Sequence, residues 1–319
     1  MLSVLVMLSV TPSLNRSPST DFVVRFGSDM DATDAFNVPL QVLGGATAET
    51  IFHGLREVSP NDGWRLFERD GLLVGAIDEV AEVDLGGQAH RLYRRLLALI
   101  GGRRLARVWN YVPRINEPDA SGLENYRAFC RGRSLAFEER LGGGYEQHLP
   151  AASAVGGVDG RLVVVFAATP GEPEHIENPE QVPAYAYPPE HGPRPPSFSR
   201  ATRVEAAGRR HVFISGTAAI KGHATVAVGD LEGQIACTLD NLRIISRVCD
   251  LGDRLGEGPA AGWQRHFKVY LRHAADYDAV KKAFDQALFR PTDHVTWLRS
   301  DICRSALLIE IEATLTADV

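Results

Sequence analysis

The sequence predicts an α+β protein of two modules, each a mixed sheet with helices packed on one face. Three observations lead there. Strand-like and helix-like segments alternate along the chain. The order hairpin, helix, strand, helix, strand is met twice. LARVWNYVPRINEP at 105–118, followed by a helix, parallels QRHFKVYLRHAADY at 264–277, followed by another. The repeat is one of architecture rather than of sequence. It divides the chain into an N-terminal module over 1–168, a proline-rich connecting segment over 169–200 and a C-terminal module over 201–319.

Each element has a local reason. The first ten residues, MLSVLVMLSV, are apolar but lack a basic flank and are too short to span a bilayer. They read as a strand or a ragged start. Phe22–Phe26 is β-branched and aromatic, hence a strand. Trp64–Arg69 and Leu72–Ile77 flank Asp70-Gly71, the dipeptide of a tight hairpin turn. Leu92, Leu96 and Leu99 recur at helical spacing, and Gly101 and Gly102 stop that helix. Leu105–Val112 is a strand. A helix starts near Ser121 and runs to Leu141, where three glycines follow. Arg161–Ala168 is a buried strand.

The connecting segment, PGEPEHIENPEQVPAYAYPPEHGPRPPSF, is rich in proline, yet Tyr185, Tyr187, Arg194, Phe198 and Arg200 suggest more order than a linker has. Beyond it, His211–Ala218 is a strand, Ile220–His223 a turn and Ala224–Val228 a short strand. Leu231, Ile235, Leu239, Leu242 and Ile245 mark a helix. Phe267–Leu271 is a strand. Asp276–Leu288 is a helix with Tyr277, Val280, Phe284 and Leu288 on one stripe. His294–Leu298 and Ala306–Leu315 are strands.

Composition narrows the function. With 319 residues, 45% of them hydrophobic and 23% charged, the chain can bury a sizeable core, which excludes a disordered chain, a coiled coil and a collagen. A net charge of −6 without a basic run argues against nucleic acid or an anionic membrane as partner. Cys130, Cys237, Cys249 and Cys303 form no C-x-x-C pair, and the ten histidines give no H-E-x-x-H or H-x-x-x-H. A structural zinc site is therefore not expected, and scattered cysteines fit a reducing, cytoplasmic setting. Gly256-Glu-Gly-Pro-Ala-Ala matches G-x-G-x-x-A, but a helix precedes it, a strand follows it and Pro259 interrupts it, so it reads as a loop. There is no P-loop and no G-x-S-x-G, and nothing points to a Ser/His/Asp triad.

Four places carry possible chemistry. Arg133 falls on the apolar stripe Leu123, Tyr126, Cys130, Phe137 of its helix. A buried guanidinium needs an internal carboxylate, a route for its head to water, or an anion in a cavity. In the last strand Glu310 and Glu312 share a face with Leu308 and Thr314, opposite Leu307, Ile309, Ile311 and Ala313. If that face is buried, a carboxyl there has a raised pKa and can serve as a general acid; if it meets solvent, the pair is inert. Arg304, beside Cys303 at the strand's entrance, can hold a carboxylate bidentately. Lys268 and Tyr270 share a strand face that is either a site wall or a solvated surface. Gly216 inside a strand makes either a bulge or room for a ligand.

These pieces resemble a known family. ISGTAAI, FKVYLRHAADY and CRS…LLIEIEAT resemble the RidA/YjgF-like (chorismate mutase-like) fold. The stretch at 110–118, GLENYRAFCRGR at 122–133 and YPPEHGPRPPSF at 187–198 resemble the chorismatases, two-domain relatives of that fold. The resemblance covers most of residues 40–319. It implies release of pyruvate from the enolpyruvyl ether of chorismate, with Glu310 as the acid that protonates the methylene carbon. Arg133 and Arg304 would clamp carboxylates, and Tyr187 and Lys268 would make polar contacts. The subtype that forms 3-hydroxybenzoate has glycine where Gly216 stands and cysteine at Cys303, whereas the hydrolytic subtype has alanine at the glycine position. The resemblance therefore implies a 3-hydroxybenzoate synthase with Glu310 and Cys303 as catalytic residues.

The alternatives are hydrolysis to a dihydroxycyclohexadienoate, a RidA-like imine deaminase and a non-catalytic module for small carboxylates. No iron-ligand constellation is present in the sequence, and neither a cofactor nor a metal is expected. The expected partner is the small molecule alone, without nucleic acid or membrane. Two modules packed on each other would make the chain a monomer.

Overall fold

The computed structural model describes residues 19–27, 35–157, 160–256 and 262–319. The apolar opening MLSVLVMLSV and residues 257–261 of the glycine motif lie outside them.

The first half contributes β1 (Thr20–Phe26), β2 (Phe36–Val38), β3 (Val42–Gly45), β4 (Ala48–Asn61), β5 (Trp64–Arg69) and β6 (Leu72–Val80). Helix α1 (Leu85–Leu99), β7 (Arg104–Pro113), helix α2 (Asn125–Leu141), β8 (Ala151–Gly157) and β9 (Arg161–Thr169) follow. The second half contributes β10 (Glu174–Ile176), β11 (Ala201–Ala206), β12 (Arg209–Ala218) and the two-residue strands β13 (Ile220–Lys221) and β14 (Ala224–Thr225). Then come α3 (Leu231–Val248), β15 (Gln264–Leu271), α4 (Tyr277–Ala287), β16 (His294–Arg299) and β17 (Ile309–Asp318).

The strands form two large sheets. One has the order β2-β1-β4-β5-β6-β9-β7-β8, the other β10-β11-β12-β17-β15-β16-β3. Both are mixed: β7 runs parallel to β8, and β15 parallel to β16. The apolar clusters define the layers. Leu92, Tyr93 and Leu96 of α1 and Phe129 and Phe137 of α2 pack on Val108, Val164 and Phe166 of the first sheet. Ile235, Leu242 and Ile245 of α3 and Val280 and Phe284 of α4 pack on Phe267, Val269 and Ile311 of the second. A third cluster lies between the sheets and joins Phe67, Trp109, Tyr111 and Val165 to Phe213, Tyr270 and Leu298. The result is helices, sheet, sheet, helices. The α+β class with helices on one face of each sheet is thus observed, and the free face of each sheet covers the other.

Local signals mostly act as expected. Asp70 and Gly71 take φ of 48° and 84°, the left-handed pair of a tight hairpin turn. Asp84 caps α1 by accepting from the Gly87 amide at 2.9 Å.

Boundaries differ where side chains capture the backbone. Helix α2 begins at Asn125, not Ser121, because Asp119 Oδ1 accepts from the amides of Ser121 and Leu123 and winds those residues into a turn. The strand expected over Ala224–Val228 is only Ala224–Thr225, since Ala227 takes φ of 52°. β17 begins at Ile309, not Ala306. Gln234 donates to the Ala306 carbonyl and accepts from the Leu308 amide, holding that stretch as a turn. α4 starts at Tyr277 after a 3-10 turn over Ala274–Asp276. The proline-rich segment is ordered: β10 joins the second sheet through β11, and 3-10 turns cover Ala184–Ala186 and Pro189–His191. β3, early in the chain, also pairs into the second sheet, against β16.

Candidate active site

A cavity of about 400 Å³ opens where the proline-rich segment, the start of α2, β12, β17 and the turn before β17 converge. That volume lies within the ~300–1,000 Å³ usual for small-molecule sites. Its walls include Tyr187, Gly216, Cys303, Arg304 and Glu310. A narrow extension of about 30 Å³ shares Gly216, Cys303 and Glu310 with it and continues to Arg133 on α2. Six of the seven expected site residues therefore border these two adjoining pockets.

Glu310 is 3% exposed. It pairs across the sheet with Tyr270 on β15 and Ala218 on β12. Burial, reinforced by the charge of Glu312, pushes its carboxyl up to about 8. It is thus largely protonated at neutral pH, and it borders the hollow. Cys303 Sγ lies 3.9 Å from Glu310 Oε2. Burial raises the Cys303 thiol, so it stays neutral beside the acid.

Gly216 sits where β12 carries one extra residue: Ile214 pairs with Ala313 and Thr217 with Ile311. The glycine makes a bulge and also makes room. A Cβ at this position would stand 2.1 Å from Glu310 Oε1. The missing methyl is the space that the acid occupies.

The cationic walls differ in how their charge is met. Arg133 is buried, with its guanidinium carbon 5.0 Å from the Tyr93 ring and 5.6 Å from that of Phe137. Its Nε and Nη2 have no hydrogen-bond partner, and it makes no carboxylate ion pair among the described residues. No internal carboxylate meets this charge, and the guanidinium borders the narrow pocket. Arg304 is held in place by donating to the His223 carbonyl at 2.8 Å and to Thr225 Oγ1 at 3.1 Å, above the Tyr187 ring.

Arg200 is a third guanidinium in the wall, and its place in the site was not legible in the sequence. Its Nη2 donates to the Tyr187 hydroxyl at 2.8 Å and to the Val182 carbonyl at 3.1 Å, and its Nε lies 3.9 Å from the Glu177 carboxylate. It stands just before β11, outside any periodic stripe, so no spacing marks it. Glu124, Tyr126 and Arg127 also enter the wall from the start of α2. Their exposure of one face to the hollow depends on how α2 docks.

Lys268 is not brought to the cavity. Its ammonium lies in the inter-sheet layer, paired with Glu49 and, at 2.8 Å, with Glu312. The expected polar contact to a ligand is replaced by an internal ion pair, because Lys268 registers with Glu312 across β15 and β17, two residues further along than Glu310. Glu312 also takes Arg107 Nη2 at 2.6 Å. Burial alone would raise Glu312, but Lys268 and Arg107 outweigh it and hold the carboxylate low.

The site thus sets one protonated acid and the guanidinium groups of Arg200 and Arg304 on the wall of a cavity of metabolite size, with Arg133 lining a narrow pocket that shares the acid. The comparisons give the family. A profile described as "Chorismatase FkbO/Hyg5-like, N-terminal" matches residues 53–168. A 3-hydroxybenzoate synthase of Streptomyces hygroscopicus is 40% identical over 227 residues, 68% of this chain and 65% of that protein. A chorismatase of Streptomyces hygroscopicus is 37% identical over 269 residues, covering 82% of this chain and 77% of that one. A chorismatase crystal structure superposes with a TM-score of 0.79 at 32% identity, over 96% of both chains. The chain belongs to the chorismatase family. It spans about 65% of the length of the first two curated relatives that it matches. Among the described residues, no helix is long and apolar enough to cross a membrane.

Proposed function

We propose that this protein converts chorismate to 3-hydroxybenzoate and pyruvate. Glu310 gives its proton to the methylene carbon of the enolpyruvyl group, which makes the ether carbon electrophilic. Attack by the neighbouring ring hydroxyl, not water, then allows pyruvate to leave. The ring proton lost on aromatisation restores the acid, so the sum consumes neither water nor a net proton. No cofactor or metal is needed.

The observation that carries this reading is the placement of a protonated carboxyl on the wall of a hollow whose other walls hold Arg133, Arg200 and Arg304. Chorismate has two carboxylates, and guanidinium groups suit them; Arg133, which makes no carboxylate pair among the described residues, is the least satisfied of the three. Tyr187 supports Arg200 and Arg304 from between. Cys303 is the neutral neighbour that shapes the acid's surroundings. The name of the 40%-identical relative supports the product, and the glycine at 216 fits the same subtype. The packing of both sheets within one chain supports a monomer.

Purified protein given chorismate should release pyruvate and 3-hydroxybenzoate in equal amounts. Recovery of the non-aromatic diol alone would refute the subtype in favour of hydrolysis. Glu310→Gln should retain binding and lose turnover by roughly 10²–10⁴-fold, the range of general-acid catalysis. Unchanged turnover in that variant would remove Glu310 from the mechanism.

A further inference from the structure

A second cluster of side chains stands at the solvent end of the cavity. The 3-10 turn Pro189–His191 carries Glu190 and His191 to the tip of the β13–β14 ribbon, where His223 sits. His191 Nε2 and His223 Nδ1 are 3.0 Å apart. Glu190 Oε1 lies 3.7 Å from the first and 3.5 Å from the second. Metal-to-ligand bonds of about 2.0–2.2 Å in a tetrahedron place neighbouring ligand atoms about 3.3–3.6 Å apart. The three observed edges bracket that value, so the atoms already occupy close to one face of a zinc tetrahedron.

The surroundings agree with this. The two rings meet edge to face, 5.2 Å apart at 73°. His191 packs on the Tyr187 ring, which fixes its plane. Glu190 is largely exposed while also lining the cavity, which leaves a fourth position open at the rim.

We propose that Glu190, His191 and His223 form a binding site for a divalent transition-metal ion of the zinc class, at the entrance of the cavity and separate from Glu310. Bound there, the ion ties the proline-rich segment to the β13–β14 ribbon, whose Thr225 and His223 backbone hold Arg304. The search for zinc motifs in the sequence could not meet this site. The two histidines are 32 residues apart in the chain and are joined only by the fold.

The test is a titration of the full-length protein with Zn²⁺ alone, in competition with a chromophoric zinc chelator. One ion per chain should bind, and the thermal midpoint should rise with added Zn²⁺. His191→Ala and His223→Ala should each weaken binding by about tenfold or more, since even the loss of a ligand's supporting partner costs ~10–100-fold. Glutamine at either position serves as a second variant where alanine disturbs folding. Absence of saturable binding would overturn the site. So would binding that survives either histidine substitution, which would place the ion elsewhere, for instance on cysteine.

Discussion

Glu310 and Glu312 lie two residues apart on one face of β17, both nearly fully buried, and their protons are governed in opposite directions. Glu312 is ionised because Lys268 and Arg107 converge on it. Glu310 has no such partner and feels the negative charge of Glu312 in addition to its own burial. Burial first, and the ion-paired carboxylate second, keep Glu310 protonated.

The activity should therefore fall as pH rises through about 8, where Glu310 loses its proton. Glu312→Gln removes a charge that raises Glu310, so the alkaline limb of kcat/KM should move to lower pH. A pH profile of the two proteins checks this, and an unmoved limb would show that Glu312 does not tune the acid.

Stability should carry the same signature. The folded-state pKa of Glu310 is raised from the ordinary 4.5 to about 8. Its contribution to stability is thus fully present below about pH 4.5 and is lost as pH rises through about 8. Glu310→Gln cannot ionise. Urea midpoints at pH 5, 7 and 9 should fall more steeply for the parent protein than for this variant.

Gly216→Ala puts a methyl where the Glu310 carboxyl now sits. The carboxyl has to swing away, and a displacement near 1 Å can cost on the order of 10²-fold in rate. We expect slower turnover and a larger share of the non-aromatic diol, measured by chromatographic separation of the products. An unchanged product ratio would disconnect this glycine from the subtype.

Arg133 and Lys268 are both buried cations, but their removal should have opposite consequences. Arg133→Met leaves no carboxylate stranded, so the thermal midpoint should hold or rise. The KM for chorismate should increase roughly 10- to 100-fold if a charge-assisted contact of about 1.5–3 kcal/mol is lost.

Lys268→Met instead strands Glu49 in the inter-sheet layer and leaves Glu312 with Arg107 alone. Breaking one side of a buried pair costs about 3–5 kcal/mol, which denaturant titration would register as a marked loss of stability. A small change would mean that water reaches the pair.

Much of the fold was legible because its signals are local. The Asp70-Gly71 turn, the leucine spacing of α1 and the alternation in β15 and β17 each depend on a few neighbouring residues. The errors at Ser121, Ala224–Val228 and Ala306 arose where a side chain such as Asp119 or Gln234 redirected the backbone, an effect that periodicity does not carry.

The amino-acid order by itself determined that Glu310 and Glu312 share a face and that Arg133 lies on an apolar stripe, and it left Gly216 as either a bulge or a gap. A strand's period of two fixes sides without saying what lies beyond them. Only the tertiary structure decided that the face bearing both glutamates looks toward another sheet rather than toward water. It also decided which cations were already satisfied. Lys268 looked like a ligand contact and is neutralised inside, whereas Arg200 signalled only order in the proline-rich segment and stands in the wall. Partnership of buried charges depends on residues hundreds of positions apart, such as Lys268 with Glu49 and Arg107 with Glu312, so packing alone can assign it.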